Sequence, residues 1–577
     1  MPEKDATLNE VFEEIADKSG TEFFLELPKN YKKGQTKYVV ITGSVMSGIG
    51  KGMISSSLCK LLKDREINVE PMKLEAYLNV DSGTLNPFRH GEVFVLDDGT
   101  ETDMDLGSYE RFADKNLSKN NFVTSGRIYQ EVIRKERAGE YLGRDVQFIP
   151  HVTAEIKNVV RKLALEKKAD IVLIEIGGTV GDYENLFALE AMRELAYEDG
   201  KQNVCFVNVT YIIEPKTLGE HKSKAAQFGI RQLMQTGIQP DVIICRSETK
   251  IPERIKEKIS MSSNVHLSNI VGCENIGNIY ELPLAMRERN LDEIVLETLE
   301  WNKKFPMTGT GNKKLYEWTE KNKPKENAEK IKIGIAGKYT GSSDTYISIL
   351  KAVEHCEGPG NAKIEIEWID TEKIEARDKN ELQKLDQVKG IIVPGGFGSR
   401  GTKGKIEVIK YCREQKKPFL GLCFGFQHAL IEFARNVLGY ADANTTEIDL
   451  KTKHPVVDLL PEQKQIEGLG GNMRLGGQDV EVKEGSIAWE LYGKQKHVRE
   501  RFRHRYECNP EYIQEFEQNG IIFSGKHSKY PIMQILELSK KEHPYFLAVQ
   551  YHPEFTSRPL KPNPCYLGFI NACKKAQ

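Results

Sequence analysis

The stretch Pro418-Phe419-Leu420-Gly421-Leu422-Cys423-Phe424-Gly425-Phe426-Gln427 carries a cysteine at the end of an apolar run, with a glycine two positions away on either side. An apolar run followed by small residues predicts a strand, a sharp turn and then a helix, which is the pattern of a nucleophile elbow. At such a turn the cysteine lies near the N-terminal N–H groups of the helix, which favour the reactive thiolate. The stretch therefore predicts an α/β domain with Cys423 as its nucleophile.

Two further motifs offer the groups that such a nucleophile needs. Val549-Gln550-Tyr551-His552-Pro553-Glu554 follows another apolar run and offers an imidazole as the base, with Glu554 placed to fix its tautomer. Val393-Pro394-Gly395-Gly396-Phe397-Gly398 follows a third apolar run, and its glycine N–H groups can point at a tetrahedral oxyanion. Each motif alone is explained as well by a buried core cysteine or an ordinary turn. Together they predict a cysteine-dependent catalytic centre.

In this order the three motifs resemble the class I (triad) glutamine amidotransferase family, and the resemblance covers residues 331–577. It implies that Cys423, His552 and Glu554 form a catalytic triad that releases ammonia from glutamine. It also implies a glutamine-binding set, consisting of Gly396, Gln427, Glu447 and Arg505. An acid and a base suit the zwitterionic substrate, with Glu447 facing its ammonium and Arg505 its carboxylate.

A second glycine-rich loop follows the predicted strand Lys37–Thr42. The loop Ile41-Thr42-Gly43-Ser44-Val45-Met46-Ser47-Gly48-Ile49-Gly50-Lys51-Gly52 precedes a helix predicted to begin near Ile54, so its N–H groups and Lys51 can hold triphosphate oxygens. It departs from the strict P-loop pattern, because six residues rather than four separate its first glycine from the Gly-Lys pair. Gly52 also replaces the usual Ser or Thr. A flexible glycine loop without a ligand is the alternative interpretation.

Because Gly52 lacks the hydroxyl of the usual Ser or Thr, a metal ion bound to the phosphates must be held by carboxylates. Two candidates occur. Asp105 lies in the acidic stretch Glu101-Thr102-Asp103-Met104-Asp105-Leu106-Gly107, which would be costly to bury without a cation. Glu175 follows the apolar run Val172-Leu173-Ile174, which places it at the carboxyl end of a strand, where an open α/β sheet binds ligands. A solvated acidic loop explains Asp105 equally well. A lone carboxylate on a buried strand is harder to explain without a ligand.

The composition of the whole chain is that of an ordinary globular protein. Its net charge of −2 over 577 residues favours neither a nucleic-acid nor a membrane partner. No stretch approaches the roughly 20 apolar residues of a membrane span, and the N-terminal residues are too acidic for a signal peptide. Ten cysteines without CxxC pairs fit a reducing compartment. We therefore expect a cytoplasmic protein.

The distribution of apolar runs predicts four regions along the chain. These are an N-terminal extension at residues 1–36, an α/β domain at residues 37–300, a polar linker at residues 301–330 and a second α/β domain, which carries the glutaminase motifs, at residues 331–577. Strand-like runs separated by helix-length segments predict parallel sheets that are buried on both faces.

Runs throughout the N-terminal half resemble the CTP synthase family, and this resemblance extends from Lys37 to the end of the chain. The runs are Met72-Lys73-Leu74, Asn79-Val80-Asp81, Gly83-Thr84, His90 to Val95, Tyr109 to Phe112, Glu175 to Asp182 and Gly237 to Asp241. The resemblance implies a dethiobiotin-synthetase-like (P-loop type) parallel-sheet domain before the glutaminase domain, and assembly as a homotetramer. It implies conversion of UTP, ATP and glutamine to CTP, ADP, phosphate and glutamate, through phosphorylation of the 4-oxo group of UTP.

The same resemblance implies the nucleotide sites. ATP would be bound by Gly48, Ile49, Gly50, Lys51, Gly52, Met53, Lys73 and Asp105, with adenine near Glu274-Asn275-Ile276. UTP, or CTP as feedback inhibitor, would be bound by Ser47, Asp182, Tyr183, Glu184, Lys222, Ser223, Lys224, Gln227 and Lys258. Asp105 and Glu175 would hold Mg²⁺. Family members are activated by GTP near the loop that is residues 397–401 here, and many of them stack into filaments.

The chain departs from the family mainly at its front. The residues before Lys37 are additional, and Phe12, Ile15, Phe23, Phe24 and Leu25 can pack on the body or form an interface.

Two other functions compete with the one implied by the resemblance. Another glutaminase-coupled ligase, such as a cobyrinate amidating enzyme, would share both kinds of domain but accept a corrinoid. A catalytically silent nucleotide sensor or filament subunit is expected to lose at least one key residue, whereas Cys423, His552, Glu554, Lys51 and Glu175 are all present.

Overall fold

The computed structural model describes residues 27–576, apart from residues 216, 218, 341–342 and 460–472. Its strands are β1 Lys37–Gly43, β2 Val69–Glu75, β3 Phe94–Val95, β4 Glu101–Thr102, β5 Phe122–Thr124, β6 Ile171–Ile176, β7 Val204–Tyr211, β8 Val242–Ser247, β9 Ile270–Glu274, β10 Glu329–Gly337, β11 Ala362–Asp370, β12 Ile391–Val393, β13 Phe419–Leu422, β14 Asn444–Thr445, β15 Pro455–Asp458, β16 Arg474–Val482, β17 His497–His504, β18 Glu507–Cys508, β19 Ile522–His527, β20 Met533–Glu537 and β21 Phe546–Val549. Its α-helices are α1 Lys51–Lys63, α2 Pro87–His90, α3 Met104–Ala113, α4 Ser125–Arg137, α5 Thr153–Lys167, α6 Leu186–Asp199, α7 Lys224–Gln235, α8 Glu253–Ser263, α9 Leu282–Glu288, α10 Leu291–Thr298, α11 Gly309–Lys321, α12 Ile347–Glu354, α13 Glu357–Gly360, α14 Thr371–Glu375, α15 Lys379–Gln387, α16 Thr402–Glu414, α17 Phe424–Asn436, α18 Ile487–Leu491, α19 Ile513–Gln518, α20 Pro553–Thr556 and α21 Pro564–Lys575. The predicted α/β class is confirmed.

One compact unit contains the described residues up to Thr84 together with Ser108–Glu317. Its core is a seven-stranded sheet of order β5-β2-β6-β1-β7-β8-β9, in which each neighbouring pair is parallel. Strands β1 and β6 are buried along their whole length, as expected when helices cover both faces of a parallel sheet. The predicted strand at the start of this domain is therefore confirmed.

The other compact unit contains Leu85–Gly107 and the described residues from Trp318 onward. Its nine-stranded sheet has the order β11-β10-β12-β13-β21-β20-β19-β16-β17. The strands from β11 to β21 in this order are parallel, and the remaining four continue the sheet in antiparallel pairs. Because β12, β13 and β21 are adjacent and parallel, the segments that follow their carboxyl ends meet at one edge of the sheet.

The segment Leu85–Gly107 belongs by its contacts to this second unit, although the sequence places it inside the predicted domain 37–300. It contains the antiparallel hairpin of β3 and β4, and its acidic side chains pair with β17. Asp97 Oδ2 lies 2.9 Å from a guanidinium nitrogen of Arg499, and Glu101 Oε1 lies 2.7 Å from Nε of Arg503. Partners so far apart along the chain cannot be matched by local pattern, which explains the difference.

The predicted polar linker at residues 301–330 contains the helix α11. Leu315 and Trp318, three residues apart, are buried although most of their neighbours are charged. Their spacing of three residues is that of one face of a helix. Composition alone therefore understated the structure of this segment.

Only the last part of the predicted N-terminal extension is described, and Phe12, Ile15, Phe23, Phe24 and Leu25 lie outside the described residues. Within the described part, the hydroxyls of Tyr31 and Tyr38 lie 2.7 Å apart, and the Arg161 guanidinium lies 5.2 Å from the centre of the Tyr31 ring. The end of the extension thus packs on the N-terminal unit. Among the described helices, none is both long and apolar enough to cross a membrane.

Candidate active site

Three strand ends of the nine-stranded sheet place the cysteine, the histidine and the glycine loop side by side. In the parallel register, Val393 pairs with Gly421, and Leu422 pairs with Val549. The residues that follow these positions are Pro394, Cys423 and Gln550, the last of which leads into His552. The structure therefore brings together the three motifs that the sequence singled out.

Cys423 lies at a strained turn between β13 and α17. Its φ of 49° and ψ of −97° are sparsely populated by residues with a side chain, and such strain costs on the order of 1–3 kcal/mol. Its N–H donates to the carbonyl of Val549 at 2.7 Å, and its Sγ lies 3.5 Å from the carbonyl oxygen of Arg503. Gly425 permits the turn, because a Cβ at that position would lie 2.2 Å from the carbonyl oxygen of Val393.

His552 is held by hydrogen bonds from two sides. Its Nδ1 lies 2.7 Å from Oε1 of Glu554, and its backbone N–H donates to the carbonyl of Arg501 at 3.0 Å. Burial disfavours the imidazolium, but the charges of Glu554 and of the Cys423 sulfur outweigh that effect and raise the pKa of His552 to about 10. Near neutral pH the imidazolium is therefore the favoured form of His552, and a neighbouring imidazolium activates a cysteine nucleophile.

The glycine loop after β12 lies directly against this pair. A Cβ on Gly395 would be 3.1 Å from Cε1 of His552 and 3.6 Å from Cβ of Cys423, so a side chain here would crowd the imidazole. Behind the loop, Nζ of Lys405 donates to the carbonyl of Pro394 at 2.9 Å. Lys405 was not predicted as a site residue, although its spacing to Val408, Ile409 and Cys412 places it on the buried face of its helix.

The four predicted glutamine-binding residues lie around the same edge of the sheet. Nε2 of Gln427 donates to the carbonyl of Tyr506 at 2.9 Å, next to Arg505 in the chain. Oε1 of Glu447 accepts from the N–H of Gly398 at 2.7 Å, two residues after Gly396. Burial raises the pKa of Glu447, while the nearby charges of Lys338, Arg505 and Lys405 act in the opposite direction. The set thus offers an acid and a base close enough for their charges to interact.

Gln550 is a further residue of this site that the sequence analysis did not assign. Its Nε2 lies 3.7 Å from Sγ of Cys423, and its Oε1 lies 3.4 Å from Nε2 of Gln427. The signal was present, since Gln550 stands two residues before His552 directly after a strand.

In the N-terminal unit, the glycine-rich loop joins β1 to α1. The loop contains positive φ angles at Val45, Gly48 and Gly50, and Gly50 is the N-cap of α1. The helix begins at Lys51, three residues before the predicted start, so the N–H groups of Gly52 and Met53 belong to its first turn. The N-terminus of a helix, where the backbone N–H groups point outward, is a favourable phosphate site. Ile49 is buried, whereas Ser47 and Gly48 are exposed.

The Lys51 side chain lies back over the end of β1. Its Nζ donates to the carbonyl of Gly178 at 2.7 Å, and a Cβ on Gly43 would lie 2.8 Å from its Cδ. The glycine at position 43 therefore leaves room for this lysine to cross the strand end and reach the loop that follows β6.

Lys73 and Glu175 form a buried ion pair beside this loop. They are register partners on the parallel strands β2 and β6, and Nζ of Lys73 lies 2.7 Å from Oε1 of Glu175. The hydroxyl of Tyr109 donates to Oε2 of the same carboxylate. The pairing explains how Glu175 is buried on an apolar strand without a prohibitive desolvation cost.

The predicted metal ligands differ in their settings. Glu175 presents a buried carboxylate that accepts from Lys73 and Tyr109, and hard oxygen ligands of this kind suit Mg²⁺. Asp105 lies in the first turn of α3, within the segment that groups with the other unit. Among the described residues, no group of three or more His, Cys, Asp or Glu side chains gathers into a metal site. The chemical type of the Glu175 carboxylate thus fits a magnesium ligand.

The predicted pyrimidine-nucleotide residues occupy two regions of the N-terminal unit. In the loop after β6, Oδ2 of Asp182 accepts from the N–H of Thr179 at 2.8 Å, Tyr183 is largely exposed, and Glu184 lines a small cavity with Glu75. The other region is the start of α7, with Lys222, Ser223, Lys224 and Gln227, and Lys258 on α8. There Lys222 pairs with Glu220, Lys224 lies over the Phe228 ring, and Nε2 of Gln227 donates to the Ser223 hydroxyl.

Arg246 at the end of β8 was not predicted, although it connects two proposed ATP-binding segments. Its guanidinium donates to Oδ1 of Asn275 at 3.0 Å, and a Cβ on Gly50 would lie 3.5 Å from its Nε. It links the glycine loop to the predicted adenine segment.

Comparison with known proteins gives consistent matches along the chain. The family model for the CTP synthase N-terminus matches residues 37–301, and that for class-I glutamine amidotransferases matches residues 342–572. Curated relatives named CTP synthase are 46% identical in Caldanaerobacter subterraneus subsp. tengcongensis, over 93% of this chain and 98% of theirs, and in Pyrococcus abyssi, over 94% and 98%. A solved structure of a Trypanosoma brucei CTPS glutaminase domain with bound acivicin is 36% identical over 43% of this chain and 95% of that chain, with a TM-score of 0.40.

Proposed function

This chain belongs to the CTP synthase family, and we propose that its two candidate sites divide the family's reaction between them. The chain is a glutamine-hydrolysing ligase that uses ATP to convert UTP to CTP. The residue assignments that follow are our proposal for how it does so.

In the glutaminase half, the Cys423 thiolate attacks the side-chain amide carbon of glutamine. The oxyanion that forms is met by N–H groups of the glycine loop, and His552 gives its proton to the departing ammonia. Water, deprotonated by His552, then hydrolyses the thioester and releases glutamate. Glu554 keeps the imidazole oriented throughout, while Gly396, Gln427, Glu447 and Arg505 hold the substrate.

In the synthetase half, the 4-oxo group of UTP is amide-like and leaves poorly, so it must be activated first. The γ-phosphoryl group of ATP is transferred to this oxygen, ammonia attacks C4, and phosphate leaves. Lys51 and Lys73 neutralise the transferring phosphoryl group, and the amides of residues 48–53 hold the ATP phosphates. The adenine lies near residues 274–276, next to Arg246.

Glu175 and Asp105 would hold Mg²⁺ on the ATP phosphates. When bound, the ion neutralises charge that develops on the phosphates. Lys73 then keeps the Glu175 carboxylate correctly oriented.

The remaining assignments concern regulation and assembly. We propose that UTP, and CTP as inhibitor, bind the set formed by Ser47, Asp182, Tyr183, Glu184, Lys222, Ser223, Lys224, Gln227 and Lys258. GTP would activate at residues 397–401, and the protein would act as a cytoplasmic homotetramer. We retain residues 37–300 as the synthetase domain and residues 331–577 as the glutaminase domain, with Leu85–Gly107 serving the glutaminase side.

The observation that carries the glutaminase assignment is the buried Cys423–His552–Glu554 array beside the Gly395 peptide. A cobyrinate amidating enzyme would present the same array, so the acceptor distinguishes the two functions. The similarity to CTP synthases over the full length of those relatives favours UTP.

The test is a coupled assay on the purified protein with ATP, Mg²⁺ and glutamine. Addition of UTP should release one phosphate for each cytosine formed, measured by phosphate detection and by the ultraviolet change at the base. Release of phosphate with a cobyrinate corrinoid, but not with UTP, would overturn the assignment.

A further inference from the structure

Lys405 is a buried cation that the proposed mechanism leaves without a role. It lies on α16 with 1% of its surface exposed, which is unusual for a lysine. Its Nζ donates to the carbonyl of Pro394 at 2.9 Å and lies 5.0 Å from the centre of the Phe424 ring. Burying an ammonium is costly, so a favourable interaction must offset the desolvation of Lys405.

The carbonyl that Lys405 contacts belongs to the same peptide unit as the N–H of Gly395. This peptide stands at the reaction centre, because a Cβ on Gly395 would lie 3.6 Å from Cβ of Cys423 and 3.1 Å from Cε1 of His552. Peptide resonance couples the two ends of the unit. An ammonium that donates to the carbonyl oxygen therefore increases the partial positive charge on the N–H at the other end of the peptide unit. Hydrogen bonds linked in such a chain strengthen one another.

We propose that Lys405 is a positioning residue for glutamine hydrolysis, which fixes the Pro394–Gly395 peptide and polarises its N–H as a donor to the oxyanion. The proposal rests on the proposed role of Cys423 as nucleophile. Lys405 would thus add a cation, which acts through the backbone, to an oxyanion hole whose other donors are neutral amides.

The groups around Lys405 determine when its charge is present. Burial lowers the pKa of Lys405 to about 7, and Lys338 acts in the same direction. The charges of Cys423 and Glu447 act against it. His428 does not compete as a cation, because burial and the charge of Lys405 lower its pKa to about 3. Interactions with the site itself, through Cys423 and Glu447, therefore favour the ammonium form of Lys405.

Two reactions of Cys423 separate this role from a purely structural one. Glutamine hydrolysis passes through an oxyanion, whereas alkylation by iodoacetamide displaces iodide at a saturated carbon and forms none. Both would be measured on the full-length protein, with Cys423→Ala as the background for alkylation of other cysteines. The variants are Lys405→Met, which removes the charge and the donor, and Lys405→Gln, which keeps a neutral donor.

For Lys405→Met we expect kcat for glutamine hydrolysis to fall about 10-fold, less than the loss of a whole oxyanion donor, with KM within about 2-fold. The alkylation rate of Cys423 should stay within about 2-fold, and Lys405→Gln should recover part of kcat. Equal slowing of both reactions, in either variant, would overturn the inference, as would an unchanged kcat. If Cys423 of the wild-type protein were not alkylated in competition with glutamine, the nucleophile assignment itself would fail, and the inference with it.

Discussion

At the scale of single residues, the reactivity of Cys423 depends on several groups rather than on the thiol alone. Its strained backbone presents Sγ at the end of β13, and its position as N-cap of α17 gives it the favourable end of a helix dipole. His552, with a pKa raised to about 10, stays protonated over the neutral range. Loss of the nucleophile should therefore affect one half of the reaction only.

Cys423→Ala is expected to reduce glutamine-dependent CTP formation by more than about 10³-fold, since removal of a nucleophile leaves only residual catalysis. CTP formation from added ammonium should remain within about 3-fold of wild type, because the synthetase half needs no thiol. Spectrophotometric assays with each nitrogen source measure both. Loss of the ammonium-dependent activity in a folded variant would contradict the division into two sites.

Lys51→Met should reduce CTP formation by roughly 10²–10³-fold with either nitrogen source, since a phosphate-neutralising cation is lost. Lys63→Met, at the exposed far end of the same helix, is the matched control and should behave like wild type. Near-normal synthesis in the Lys51 variant would mean that the glycine loop is not the phosphate site.

At the scale of elements, β17 connects most of the groups around the triad. The carbonyl of Arg501 accepts from the N–H of His552. The carboxylate of Glu500 binds two residues that follow His552 in the chain. Oε2 of Glu500 accepts from the Thr556 hydroxyl at 2.6 Å, at the end of α20, and Oε1 accepts from the Asn563 amide at 2.8 Å. One strand thus anchors both ends of the segment that carries the catalytic histidine.

The Glu500 carboxyl should make stability depend on pH. Burial raises its pKa to about 7, against hydrogen bonds from Thr556, Tyr492 and Asn563 that lower it. The folded state therefore binds a proton that the unfolded state has released between about pH 4.5 and pH 7, so this group makes the protein less stable as pH rises through that window. Above pH 7 the penalty is on the order of 3 kcal/mol.

Glu500→Gln removes this titration. Relative to wild type, the variant should gain stability between pH 5 and pH 8, as measured by urea unfolding at each pH. A difference between variant and wild type that does not change with pH would show that the Glu500 carboxyl is not raised in pKa.

At the scale of the whole molecule, the glutaminase unit is not a continuous piece of chain. The ring of Phe94, on β3, lies 5.0 Å from that of Phe555, which in turn stacks on the His552 ring at 4.9 Å. The hairpin of β3 and β4 therefore supports the imidazole from behind. It is inserted from the N-terminal half of the sequence.

A fragment of residues 318–577 is expected to hydrolyse glutamine more slowly than the full chain, by roughly 10-fold in kcat, because His552 loses the packing behind Phe555. Its thermal midpoint should also fall, since burial of Phe94 contributes about 2–3 kcal/mol. Phe94→Ala in the full chain should shift both quantities in the same direction. A fragment with the activity and melting temperature of the full chain would rule out this support.

The local sequence determined which segments form strands, elbows and phosphate loops, because apolar runs and glycine spacing act over a few residues. It therefore identified Cys423, His552, Glu554 and Lys51 as candidates. The pairing of Lys73 with Glu175, the burial of Lys405 beneath the Pro394–Gly395 peptide and the insertion of Leu85–Gly107 were decided by the tertiary structure alone. Each depends on strand register or on packing between residues far apart in the chain; helical spacing can place Lys405 on a buried face, but it cannot show which backbone carbonyl its ammonium meets.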